Sequence, residues 1–327
     1  MSPWRRFRAD RRARVGLRVL VGLLAAAVLA DVLASELPLF CRVGGVTYVL
    51  PCLTEPAALR GLSRQALKAS AELYVPTPIP FGPDETFAGT KARFTPAPWS
   101  PDDEHLLGTD ELGRDVAARL VHGARVSLWV GLSSVALNLV LGLWLGLLAA
   151  WRGGVVDAVV SRLIEVLTTV PTLFLLLTLI GLWRVQGLWA LTLVLGLTRW
   201  GELARLARAQ GLQLVRQDFV AASRALGAGT GRIIARHLVP NVLGPVLVSA
   251  AFAVAAAILV ESALSFLGLG VAPPTATWGE LLTQAHRTLT HPGAWWLALF
   301  PGACIALTVG SLHLVGEGLR RSLDPAA

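Results

Sequence analysis

Only two lysines, Lys68 and Lys91, occur in the chain, and neither follows a glycine. A phosphate-binding loop needs a Gly-Lys-Ser/Thr run, so this chain does not hold ATP that way. Cysteine is nearly as scarce. Cys41, Cys52 and Cys304 show no metal-binding or redox spacing. Cys41 and Cys52 share one polar segment, and two readings stay open for them. They close a small disulfide loop if that segment faces an oxidising space, or they are two independent buried thiols. The six histidines, at 105, 122, 237, 286, 291 and 313, are scattered without ligand spacing. No metal site and no cofactor is expected. Charge is thin as well: 15% of residues are charged, against about 25% in soluble domains.

What replaces charge is apolar surface. Hydrophobic residues supply 54% of the chain and the mean hydropathy is +0.61. Several runs approach the roughly twenty apolar residues that cross a bilayer. The net charge of +8 would point to nucleic acid in a soluble chain. Here the arginines flank apolar runs and no nucleic-acid motif accompanies them. The charge therefore reads as topology, and no nucleic-acid partner is expected.

Arg5, Arg6, Arg8, Arg11, Arg12, Arg14 and Arg18 precede the apolar run 19–34. Positive charge stays inside, so residues 1–34 read as a cytoplasmic basic start and a first helix that exits outward. A cleaved signal peptide competes, with Val28-Leu29-Ala30 as a small-residue cleavage site. The length of the run favours an anchor. Residues 35–125 follow as a long external segment with nine Lys/Arg and eleven Asp/Glu. Prolines 76, 78, 80, 83, 96, 98 and 101 break any long helix there. Residues 45–50 read as a short strand, and an amphipathic helix is expected near the segment's end.

Five further apolar spans are expected at 126–150, 155–183, 188–204, 242–262 and 293–315. Turns at 151–154 and 184–187 join the second to the third and the third to the fourth. Six spans place Arg152, the stretch 199–236 with seven arginines, and Arg320 and Arg321 on the inside. They place 262–292, with Arg287 alone, outside. The fold class is thus an all-α, multi-pass integral membrane protein with both termini in. Its parts are residues 1–34, 35–125, a core of five spans over 126–317 with cytosolic helices at 205–240, and a tail at 318–327. Pro171 should kink the third span. Gly142 and Gly146 form a small-xxx-small pair, which is either a close helix contact or chance in a glycine-rich chain. Arg162 and Glu165 read as a snorkelled i,i+3 pair, with a proton relay as the sharper alternative.

Between the fourth and fifth spans lies FVAASRALGAGTGRIIARHLVPN (219–241). It is too long and too helix-compatible for a plain loop. Asp218 is placed to cap a helix over 219–226. Gly227, Gly229 and Gly231 permit the turn that ends it, and 232–238 reads as a third short helix. The segment resembles the coupling segment of ATP-binding cassette import permeases. Ala221-Ala222-Ser223 stands at the Glu-Ala-Ala triplet, Gly227 at its glycine and Pro240 at its proline. Ala221 occupies the place of the usual Glu, so the resemblance carries docking but not that residue's salt bridge.

Three more motifs are similar to the second permease subunit of dipeptide, oligopeptide and nickel importers: HLLGTDELGRDVAARLVHGARVSL (105–128), ESALSFLGLGVAPPTATWG (261–279) and LVGEGLRRSLDP (314–325). In the first, Thr109 or Asp110 can cap a helix start and Asp115 to Arg119 is an i,i+4 pair. The second cannot be one continuous helix, because its glycines and prolines interrupt it. It reads as an outer gate or as an ordinary external loop. Glu261 is the acidic residue nearest the pathway.

The resemblance implies an importer-type permease fold in the bacterial inner membrane, without catalytic residues of its own. It implies a second permease, two ATPase subunits, an extracytoplasmic solute-binding protein and membrane lipid as partners. It assigns Ala221, Ala222, Ser223, Arg224, Gly227, Arg236, His237 and Pro240 to ATPase coupling. Gly108, Thr109, Asp110, Gly113, Arg114, Asp115, Glu261, Ser265, Gly268 and Gly270 fall to the external motif or gate. Peptides lead as solute; nickel and other small solutes stay open, and an ion-coupled secondary transporter is the competing class.

Overall fold

The computed structural model describes residues 3–86, 98–183, 187–288 and 294–323. The turn expected at 184–187 lies largely outside these residues, as do His291 and the Asp324-Pro325 end of the last motif. The described chain is mostly helical. In order it forms α1 (Pro3–Ala9), α2 (Arg11–Val28), α3 (Ala30–Leu33), β1 (Phe40–Val43), β2 (Val46–Val49), α4 (Pro51–Thr54), α5 (Arg64–Ser70) and β3 (Ala71–Val75). There follow α6 (Val116–Arg152), α7 (Gly154–Thr169), α8 (Thr172–Trp183), α9 (Leu188–Thr198), α10 (Trp200–Leu214) and α11 (Asp218–Ala225). The last elements are α12 (Thr230–Ile233), α13 (Val239–Phe266), α14 (Trp278–Arg287) and α15 (Trp296–Leu323).

Among the described residues, three helices are long and apolar enough to cross a membrane: α6, the continuous run Thr230–Phe266, and α15. The pair α7 and α8 makes a fourth if it counts as one span; it bends by 92°. The bend falls at Pro171, where the ring removes a backbone donor and clashes with the preceding turn. Residues 188–204 do not form one helix as expected. α9 stops at Thr198, Arg199 leaves helical geometry at φ −108°, ψ 4°, and α10 starts at Trp200. The first apolar run likewise begins inside the arginine cluster, because Asp10 starts α2 by accepting the Arg12 and Ala13 amides at 2.9 and 3.3 Å.

The chain divides into two compact units. The first comprises residues 1–20, 129–261 and 308–327. Its main core joins Leu147, Leu203, Ala207, Val220, Ile233, Ile234, Leu238, Val242 and Val246. The glycine pair on α6 is a close contact with α10. A Cβ at Gly146 would stand 2.4 Å from the Ala204 carbonyl oxygen, and one at Gly142 would stand 2.8 Å from Leu203 Cβ. On α7, the Arg162–Glu165 pair is present at 2.6 Å and largely exposed. Asp157 pairs instead with Arg208 of α10.

The second unit comprises residues 21–128 and 262–307. It corrects the all-α expectation with a three-stranded antiparallel sheet in the order β2-β1-β3. The strand expected at 45–50 is β2. It pairs with β1 across Gly44-Gly45, both at positive φ, which suits a two-residue turn between twisted strands. Cys41, Leu59 and Leu67 are buried beneath the sheet with Val43, Tyr48 and Tyr74 packed around them. The disulfide left open by the spacing is not formed: Cys41 and Cys52 are free. Cys41 points into that apolar layer from β1 while Cys52 is buried in α4. Burial pushes both thiols up, away from the reactive thiolate.

Candidate functional site

The 219–241 segment is built on a buried base and an exposed rim. α11 buries Val220 alone, and α12 with the following turn buries Ile233, Ile234 and Leu238. Ala221, Ala222, Arg224, Gly227, Arg232, Arg236 and Pro240 are exposed. Asp218 is the first helical residue and Gln217 the cap, without a side-chain cap bond. Asp218 therefore acts through its charge at the helix start.

Gly227 ends α11 at φ +79°. The Gly227 amide donates to the Arg224 carbonyl at 3.0 Å, and the Ala228 amide donates to the Ser223 carbonyl at 3.2 Å. This is the reciprocal pair of bonds that closes a helix on a left-handed residue. Gly229 and Gly231 keep negative φ; Gly229 precedes α12 and Gly231 lies within it. The third short helix expected at 232–238 is not separate. α12 passes through a π-helical turn at Ile234–Leu238 into α13. The wide turn sits where Pro240 lacks the amide that would bond to Arg236.

His237 is half-buried and turned toward α11, its Nε2 3.2 Å from Ser223 Oγ, with the Phe219 ring 6.2 Å away. Arg224 lies over the Trp151 ring at 5.4 Å, and Trp151 Nε1 donates to Thr230 Oγ1 at 3.2 Å. The residue that sequence reasoning missed is Leu226. It is 89% exposed, at the tip of the rim beside Gly227. The available signal was an apolar residue in the place just before a helix-ending glycine, within a polar, arginine-bearing stretch.

The 105–128 motif opens with a tight loop around buried charges and runs into α6. Asp110 accepts the Leu112 and Arg114 amides at 2.9 and 3.0 Å and Arg114 Nε at 2.7 Å. Gly108 and Gly113 take positive φ. A Cβ at Gly108 would stand 2.7 Å from Trp296 Nε1, which donates to the Thr109 carbonyl. Thr109 Oγ1 accepts the Trp99 amide at 2.8 Å.

The helix cap is Asp115, not Thr109 or Asp110. Its Oδ1 accepts the Ala118 amide at 2.8 Å and its Oδ2 lies 2.9 Å from His105 Nδ1. That carboxylate is spent, so the i,i+4 pair with Arg119 does not form. Arg119 is fully buried and reaches Glu280 Oε2 at 2.8 Å and Asp110 Oδ2 at 3.4 Å. Glu280 comes from α14, where Thr277 Oγ1 caps the helix by accepting the Glu280 amide. No spacing rule joins Arg119 to a residue 161 positions away.

The 261–279 motif breaks as expected. α13 ends with Gly268 at φ +77°, closed by the Gly268 amide on the Ser265 carbonyl and the Leu269 amide on the Leu264 carbonyl. Glu261 and Ser265 are buried. The Ser265 carbonyl also accepts Thr283 Oγ1 at 3.0 Å. Gly270 and Gly279 are packed tightly: a Cβ at Gly270 would lie 1.9 Å from Ser265 Oγ, and one at Gly279 2.7 Å from Ser262 Cα. This stretch is therefore a packed corner of its unit rather than a loose loop. Among the described residues no cluster of His, Cys, Asp and Glu could hold a metal ion.

Residues 142–327 match the family described as binding-protein-dependent transport system inner membrane component. Residues 2–39 match the N-terminal TM domain of oligopeptide transport permease C. The di/tripeptide transport system permease protein DppC of Pseudomonas aeruginosa (strain UCBPP-PA14) is 38% identical over 270 residues, which are 82% of this chain and 88% of that one. The oligopeptide transport system permease protein OppC of Bacillus subtilis (strain 168) is 38% identical over 225 residues, 69% and 73% of the two chains. A solved structure of the MetNI methionine ABC transporter in inward-facing conformations shares the fold, with a TM-score of 0.50 at 20% identity over 63% of this chain and 96% of that one. Together with the three long apolar helices, these matches place the chain in the family of inner membrane permease components of binding-protein-dependent ABC transport systems.

Proposed function

We propose that this chain is one of two permease subunits of an ATP-driven peptide importer, with the translocation path between it and a second, similar permease. Peptides lead because relatives at about 40% identity carry di-, tri- and oligopeptide names. Six spans with both termini inside agree with the arginine distribution. Residues 35–125 then lie outside, 126–317 form the five-span core, and 318–327 return to the cytosol. Two ATPase subunits dock below, one on residues 219–240 of this chain, and a solute-binding protein docks above, near Gly108–Asp115 and Glu261–Gly270.

The observation that carries this reading is the coupling rim. Leu226, Arg224, Arg232 and Arg236 stand out from a base that Val220, Ile233, Ile234 and Leu238 lock into the core. A rigid, exposed knuckle can transmit displacement; a solvated loop would absorb it. ATP-driven closure of the ATPases moves the knuckle and rocks the spans, so the energy comes from differential contacts in two states.

The test is reconstitution. The chain, its second permease, the ATPases and the solute-binding protein are assembled in proteoliposomes. ATP-dependent peptide uptake is expected, and it should vanish when the ATPases are omitted. A Leu226→Cys variant should react with a membrane-impermeant maleimide only from the ATPase side. Uptake without the ATPases, or labelling from the opposite side, would refute the proposal.

A further inference from the structure

The basic start of the chain forms a pinned elbow that the transport motifs leave unused. Within the first unit α2 and α15 run antiparallel in close contact. A Cβ at Gly16 would stand 2.8 Å from the Ser311 carbonyl oxygen, and one at Gly318 would overlap Ala13 Cβ. One turn further, Asp10 Oδ2 meets Arg321 Nη1 at 3.2 Å. Six residues of straight helix would carry Phe7 about 9 Å past the level of Ala13, beyond the reach of a ring. Phe7 nevertheless returns to that level: its Cε2 lies 3.2 Å from where a Cβ on Gly318 would stand. The chain therefore bends at Asp10, which separates α1 from α2. α1 folds back across the end of the α2–α15 pair, with Phe7 buried against it.

The outer surface of this elbow is strongly cationic. Residues 1–18 hold seven arginines and a single acid, Asp10. That carboxylate is committed: Oδ1 accepts the Arg12 and Ala13 amides and Oδ2 accepts the Arg321 guanidinium. Arg5, Arg8, Arg11, Arg12, Arg14 and Arg18 are exposed. Like charges held this close repel unless an anionic surface faces them. Among them sits an indole. Trp4 is 54% exposed, stacked on the Phe7 ring at 5.6 Å with the Arg8 guanidinium 4.9 Å from its own centroid. A tryptophan among arginines on a short helix suits the headgroup layer of a bilayer. Beyond the elbow α2 leaves Val15, Val21 and Val28 exposed, an apolar face for lipid tails. The arginines thus stand where that face ends.

We propose that the α1–α2 elbow is a docking surface for anionic phospholipid headgroups of the surrounding bilayer, with Trp4 seated among them. The contact holds α1 on the membrane surface and, through Phe7 and Asp10, clamps it to α15. Retention of positive charge on one side accounts for the side these arginines occupy. It calls for no bend, no buried Phe7 and no stacked indole; an unstructured basic tail would be retained equally well. The site is independent of which solute the chain carries.

The test uses the full-length chain in neutral detergent, titrated separately with phosphatidylglycerol, phosphatidylcholine and glycerol 3-phosphate while its thermal midpoint is followed. Phosphatidylglycerol should raise the midpoint by several degrees more than phosphatidylcholine, and salt at about 0.5 M should remove most of that difference. Each arginine near an anionic surface is worth about fivefold in affinity. The triple variant Arg5→Gln, Arg11→Gln, Arg12→Gln should therefore need about tenfold or more phosphatidylglycerol for half the rise. Without lipid it should unfold no earlier than wild type, because the charges removed are exposed and repel one another. Trp4→Ala should weaken the response to phosphatidylglycerol while keeping its salt dependence. An unchanged titration in the triple variant would overturn the proposal, as would phosphatidylcholine acting as well as phosphatidylglycerol. Equal stabilisation by glycerol 3-phosphate would make the elbow a site for free anions and overturn it too. A triple variant that unfolds early without lipid would make these arginines structural, with the same consequence.

Discussion

Replacing Gly227 by valine tests the mechanical role proposed for the rim at 219–240. Gly227 sits at φ +79°, and a Cβ built there meets nothing within 4 Å. Crowding therefore contributes nothing, and the whole penalty is backbone. Left-handed geometry costs an L-residue about 1–2 kcal/mol, with β-branched residues worst placed. Global stability of about 5–15 kcal/mol absorbs that, and the buried base at Val220, Ile233, Ile234 and Leu238 is untouched. Locally the same energy is decisive. The turn is held by the amides of Gly227 and Ala228, and every 1.4 kcal/mol is about a tenfold change in its population. Leu226 and Arg232 lose their fixed spacing when it opens. Gly227→Val should insert normally, keep its thermal midpoint within a few degrees, and lose about tenfold in ATP-dependent uptake while ATPase turnover persists. Gly227→Asn, which tolerates the left-handed region, should recover most of the uptake. Wild-type uptake by the valine variant would refute the coupling assignment, and equal loss in both variants would refute the backbone argument.

Gly270→Ala should destabilise the corner after α13 by about 1–3 kcal/mol, because its Cβ would lie 2.5 Å from the Ser265 Cα, which cannot step aside. Gly268→Asn, in open space at φ +77°, should be tolerated; thermal unfolding in detergent distinguishes them. Glu280→Gln should cost about 1–3 kcal/mol by weakening the strongest ion pair of the fully buried Arg119, which keeps Asp110 and Asp84 at 3.4 Å. The double variant Arg119→Met, Glu280→Met should be more stable than that single one, and a double variant as unstable would contradict this. Burial raises the Glu85 carboxyl, opposed in part by the Gly82 amide. The folded state thus holds its proton more tightly than the unfolded one. The group costs stability increasingly as pH rises through the ordinary carboxylate range to its raised value. Glu85→Gln should therefore be the more stable protein at neutral pH and lose that advantage in acid, as a pH series of thermal midpoints would measure. Cys41 and Cys52, raised by burial, should resist maleimide in the native protein and react on unfolding.

Local chemistry was legible in the sequence wherever one residue decides one geometry. Gly227 and Gly268 end helices because each is a glycine at the place where the chain must turn left-handed. Pro171 bends the third apolar run because its ring allows nothing else, and the apolar runs near 126, 242 and 296 become long helices because of their hydropathy alone. The class of the chain followed from the same local signals, together with the rim's motif. What the tertiary structure decided were partnerships across distance. β1 lies between β2 and β3 in the sheet, and its pairing with β3 joins stretches far apart in the chain, so no local pattern announces it. Asp115 caps α6 and meets His105, which frees Arg119 for Glu280; no periodicity links those residues. Leu226 could be seen as apolar, but only packing shows that it stays exposed among the described residues. Arg199 reads in sequence as one more inside arginine. Its place at the break between α9 and α10, paired with Glu202, exists only once the chain is folded, because neither flanking apolar run announces a break there.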